Sequence, residues 1–61
     1  MGQRSKVEVN RDIQAAFKRV GVVPDAGEEA FWEAVEKVKR IDSDTHYRLI
    51  QLGDEWETSH G

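Results

Sequence analysis

From Asp42 to His46 the chain reads Asp-Ser-Asp-Thr-His, which sets oxygen and nitrogen ligands at alternate positions, as a calcium-binding loop begins. Continued against the EF-hand pattern, the run fails. The sixth position needs glycine for a sharp turn and holds Tyr47, and the twelfth needs a bidentate glutamate and holds Gly53. These residues are better read as a stack of helix-capping side chains, and no metal site is expected. Ser43 and His46 stand three apart with acids beside them, but nearness in sequence does not make a nucleophile and its base. Glu28, Glu29, Glu33 and Glu36 are carboxylates on an exposed helix face with bases nearby, whereas an acid–base catalyst needs burial to raise its pKa. Without cysteine there is no thiolate ligand, cysteine nucleophile or disulfide. There is no glycine-rich phosphate loop. The expectation is a non-enzymatic protein with no cofactor and no small-molecule substrate.

A chain of 61 residues has room for one domain with one modest core, marginally stable unless reinforced. No apolar run approaches the roughly 18 residues of a membrane span, and the N-terminus lacks a secretory signal. A myristoylation pattern would want Ser or Thr where Lys6 stands. The expected setting is cytoplasmic, with an ordered core over about 9–57 and flexible ends.

Three segments position these residues. In the first, Asn10 reads as the N-cap, Ile13, Ala16, Phe17 and Val20 share one helical face, and Gly21 ends the helix in a Schellman motif that returns Val22 to Phe17, with Pro24 blocking continuation. In the second, Asp25 and Glu28 have capping-box spacing, and Ala30, Phe31, Ala34, Val35, Val38 and Ile41 form one stripe. Glu33–Lys37 and Glu36–Arg40 have the spacing of helical ion pairs. The third begins at Asp42, Ser43 or Asp44. As a helix it aligns Thr45, Leu49, Leu52 and Trp56 and stops at Gly53, leaving Trp56 in a tail that folds back. The alternative is a C-terminal hairpin of His46–Leu52 and Glu55–Thr58. The all-α reading, a small three-helix bundle with short connections, is favoured over an α+β arrangement of two helices on that hairpin.

Two surfaces are left over. Trp32 lies roughly 60° off its helical stripe, and Tyr47 and Ile50 miss theirs. Burial under the last turn or tail would account for Trp32. Large aromatics also anchor interfaces. Trp32, Tyr47 and Ile50 rimmed by Lys39, Arg40 and Arg48 are therefore the candidate contact for another protein or a second copy. The charge is uneven: residues 1–20 carry five bases against two acids, a net +3, and residues 21–61 four bases against ten acids, a net −6. The basic front, Arg4, Lys6, Arg11, Lys18 and Arg19, is a candidate nucleic-acid surface, as is a helix-turn-helix-like element presenting His46, Tyr47, Arg48 and Gln51. Five acids around Arg48 oppose the second, and no interleaved aromatics support the first. The protein-partner reading is preferred.

Overall fold

The computed structural model describes residues 4–59. Three helices, α1 (Lys6–Val20), α2 (Glu28–Ile41) and α3 (Ser43–Thr58), make up 80% of them, so the hairpin alternative is set aside.

The helix ends show why the chain divides where it does. Helix α1 starts a full turn before Asn10. Ser5 is its N-cap, with Oγ accepting from the Glu8 amide at 3.3 Å, and Asn10 lies within the helix. An earlier start brings Val9 into the core, where it is fully buried with Ile13 and Phe17. At the other end Gly21 adopts φ 73°, its N–H donates to the Lys18 carbonyl (3.2 Å), and the Val22 N–H reaches the Phe17 carbonyl (3.1 Å). This is the Schellman motif expected of the sequence.

The capping box does not form. Helix α2 begins after Gly27, whose φ of 109° and ψ of 159° suit glycine, and no side chain caps its amides. Asp25 lies two residues before that cap, too early to reach them. Ala34, Val35 and Val38 are buried, but Ile41, assigned to the same stripe, is 58% exposed at the helix end. Among the described residues the i,i+4 pairs of α2 stay open, and the ion pairs are those of Arg4 with Asp12 and Glu55.

Asp42 alone joins α2 to α3. Its N–H donates to the Val38 carbonyl (2.8 Å), which closes α2. Its carboxylate accepts from the Asp44 amide (3.2 Å) and the Thr45 hydroxyl (2.7 Å), which opens α3. The run read as alternating ligands is thus occupied in capping.

Helix α3 continues through Gly53 to Thr58. Glycine in a helix interior costs about 1 kcal/mol relative to alanine, so the sequence favours a stop there. Tertiary packing overrides it: a Cβ on Gly53 would lie 2.8 Å from Trp32 Cη2 and 2.9 Å from Phe31 Cε2. The glycine lets α3 slide under the aromatic pair of α2. Trp56, expected in a tail, is therefore helical.

Helix α3 packs against both neighbours, while α1 and α2 touch only lightly. It runs antiparallel to each. Its start follows the Asp42 turn, His46 Nδ1 donates to the Val35 carbonyl (2.8 Å), and its end is held to the start of α1. Helices α1 and α2 therefore point the same way along α3. Gly21–Gly27 is a return connection rather than a reversal: seven residues reach about 24 Å when extended, enough to run back along α1, about 22 Å long. The core is Val9, Ile13, Phe17, Ala34, Val35, Val38, Leu49 and Leu52.

The described ends are also tied down. The Arg4 guanidinium bridges Asp12 and Glu55, with Nε 3.0 Å from Glu55 Oε1. Lys6 Nζ donates to the Trp56 carbonyl at 2.6 Å and sits 4.0 Å from the Trp56 ring centroid. Ser59 is buried, its hydroxyl donating to the same carbonyl. Residues 1–3, with the myristoylation pattern's glycine, and 60–61 lie outside the described residues.

Two outcomes follow from this packing. Gly53→Ala should lower stability by about 1–3 kcal/mol, the cost of overpacking, although an alanine in an open helix would raise it; urea denaturation measures the difference. The Thr45 hydroxyl, then the Thr45 and Asp44 amides, hold the Asp42 carboxyl below its usual range, and Arg4 does the same for Asp12. A carboxyl with a depressed folded pKa contributes stability that is complete above the unfolded value, about 3.9, and is lost as pH falls through the folded one. Asp42→Asn keeps the cap without the charge, so its melting temperature should fall less steeply below about pH 4 than that of the unaltered protein.

Candidate functional site

The return connection leaves a cleft. Because Gly21–Gly27 passes back beside α1, the start of α2 stands away from α1, and a groove of about 350 Å³ opens between them. Ile13 and Phe17 of α1, Phe31 and Trp32 of α2, and Gly53 and Trp56 of α3 line its apolar part. Phe31 meets Trp32 edge-on with centroids 4.8 Å apart, and Phe17 meets Phe31 the same way at 5.8 Å. These contacts are near-perpendicular, as ring quadrupoles prefer.

The mouth is polar. Asn10, Gln14, Asp25, Gly27, Glu28 and Glu57 line it and are exposed, so the groove is open along one side. Glu28 and Glu57 meet across it. The hydrogen bond with Glu28, then the loss of hydration and the repulsion from Glu28 and Asp54, push the Glu57 carboxyl above its usual range, with Lys6 acting weakly the other way.

Of the sequence-derived partner patch, only Trp32 lines the groove, and it also packs on the core. Ile50 is partly buried against the core outside the groove. Tyr47 is 61% exposed, edge-on to His46. Lys39 and Arg40 are exposed at the end of α2. Arg48 lines a second hollow of about 410 Å³ with Arg19, Asp42, Asp44 and Thr45, on the α1 side of α3. That hollow is larger, but it has no aromatic lining and carries both bases and acids.

The basic front also divides. Arg4 and Lys6 are engaged within the chain, whereas Arg11, Lys18 and Arg19 are exposed. In the helix-turn-helix-like element, His46 is buried and bonded to Val35, while Tyr47, Arg48 and Gln51 are exposed. Ser43 is exposed at the first position of α3, whereas His46 is buried. Among the described residues, no three acids or histidines converge as metal ligands would, and no helix is long and apolar enough to cross a membrane.

Sequence reasoning did not include Phe31, Trp56, Glu28 or Glu57 among the site residues with Trp32. The available signal was the helical face of Leu49, Leu52 and Trp56, which carries Trp56 toward the core once α3 runs past Gly53. Comparison with protein-family models, curated proteins and solved structures gives no match.

One outcome isolates the carboxylates at the mouth. A raised folded pKa means that protonation favours the folded form, so ionised Glu57 opposes folding at neutral pH. Glu57→Gln should raise the melting temperature at pH 7. The gain should shrink as pH falls through the carboxylate range, where Glu57 of the unaltered protein becomes protonated.

Proposed function

We propose that this protein is a small non-enzymatic interaction module, an adaptor, inhibitor or assembly component that binds another protein through the groove between α1 and the start of α2. The observation that carries the reading is an open cleft lined by Trp32, Trp56 and Phe31. Tryptophans are enriched at the energetic centres of protein interfaces, where a well-packed pocket excludes water around an anchoring side chain. A volume of about 350 Å³ is at the low end for small-molecule pockets, and the open side suits a side chain presented by a partner better than an enclosed substrate.

The proposed site differs from the patch read in the sequence. Trp32 remains its centre, Trp56 and Phe31 replace Tyr47 and Ile50, and the rim is acidic rather than built from Lys39, Arg40 and Arg48. The nucleic-acid alternative gains no support from the geometry, because Arg4 and Lys6 already have partners within the chain and the groove presents carboxylates to any phosphate.

Trp32→Ala is an ambiguous test, since the indole packs on Gly53 and its loss would cost stability as well as contact. A cleaner measurement selects peptides from a random displayed library against the folded chain and maps them by amide chemical shifts. The expected result is that selected peptides compete for one site and perturb Gln14, Gly27, Trp32, Gly53 and Trp56. Selected peptides that instead map to Tyr47 and the outer face of α3 would overturn the groove as the partner site.

A further inference from the structure

The groove has a chemical preference written into its rim. Asp25, Glu28 and Glu57 stand at the mouth, exposed, and among the described residues none has a basic side chain within ion-pair distance. Glu28 and Glu57 are close enough to crowd each other, a repulsion that a cation placed between them would relieve. The nearest base, Lys6, is already held by the Trp56 carbonyl and ring. Beneath the carboxylates the walls are aromatic. The complement is an apolar anchor with positive charge beside it.

Resting on the reading that the groove is the partner site, we propose that its occupant is a basic amphipathic segment of another protein, with a large apolar side chain seated against Trp32, Phe31 and Trp56 and flanking lysines or arginines lying on Asp25, Glu28 and Glu57. A helical segment would present its anchors at i and i+4 along the groove, with bases on the adjoining stripe. Opposite charge at such a rim contributes mainly to encounter and selectivity, and the buried anchor supplies most of the affinity.

A second copy of this chain is the competing occupant, and the geometry weighs against it. The exposed basic face of α1 offers Val7 beside Arg11, and Ala15 between Arg11 and Lys18, and neither is an aromatic or long aliphatic anchor. The exposed Ile41 has Lys37 and Arg40 nearby, but it stands at the far end of α2 from the groove. A second copy could place Ile41 in the groove only through a reciprocal two-fold pair or a closed ring, because a simple head-to-tail contact leaves one groove free at the end of the chain of copies.

The test uses the full chain, isotope-labelled, and three synthetic helical peptides of about 14 residues. One carries leucine and phenylalanine anchors flanked by lysines, the second replaces the lysines by glutamates, and the third replaces the anchors by alanine. The lysine peptide should shift the amides of Gln14, Gly27 and Gly53 and both indole N–H signals, more weakly as salt is raised. The other two should bind at least about tenfold more weakly, as should the lysine peptide to the Glu28→Gln, Glu57→Gln double variant, a factor matching two or three rim pairs. Circular dichroism checks that the variant keeps its helices. If lysine and glutamate peptides bind the groove equally, the charge inference fails and the groove reading stands. If no peptide reaches the groove, both fail. Self-association in sedimentation that Ile41→Asp abolishes, with the groove signals returning to monomer positions, would make a second copy the occupant and overturn the proposal.

Discussion

The Trp32 and Phe31 rings occupy the space that a Cβ on Gly53 would need, and much of the architecture depends on that bare backbone. Without a Cβ at that point, α3 stays helical for its whole length and lies directly under the start of α2. Helix continuity then carries Trp56 and Glu57 forward to the rim of the groove. Had the helix ended at Gly53, Trp56 and the anchor for Lys6 would both lie elsewhere. The price is a glycine in a helix interior, and the return is aromatic surface buried against backbone that any other residue would hold away.

The same contact explains how so short a chain has both a core and a cleft. Small domains bury a modest fraction of their surface, and here the fully buried apolar residues are mostly valine and leucine with Phe17 as the one large ring. Phe31 and Trp32 are shared between that core and the groove, half-buried in each. The return connection borders the groove with Pro24, Asp25, Ala26 and Gly27, beside α1 and the start of α2.

Charge is distributed to fit. Helix α3 has no base in its own last turn, and Lys6 of α1 supplies one, donating to the Trp56 carbonyl where the helix dipole ends. Arg4 draws Asp12 and Glu55 together across α1 and α3. The basic N-terminal stretch thus serves in part to fasten helices, and among the later acids Asp25, Glu28 and Glu57 face solvent at the groove. An acidic rim over aromatic walls selects for sign as well as shape, which a purely apolar cleft cannot do.

The sequence by itself determined the helical class, the Schellman ending at Gly21, the buried faces of Ile13 and Phe17 and of Val35 and Val38, and a capping junction at Asp42, Ser43 or Asp44. These are local matters, decided by periodicity and by capping within a few residues. It misplaced the starts of α1 and α2, the end of α3 and the neighbours of Trp32. At Ser5 and Asn10 two good caps compete, and the choice rests on whether Val9 finds a core to enter. At Gly53 local propensity argues for a stop, and only two rings from another helix, 21 and 22 positions away in the chain, make continuing favourable. Whether Trp32 meets Trp56 or Tyr47 depends on the direction in which α3 crosses α2. No spacing encodes that direction, because helices joined by one extended residue can pack at several angles; the tertiary structure decides it through the side chains that fit between them.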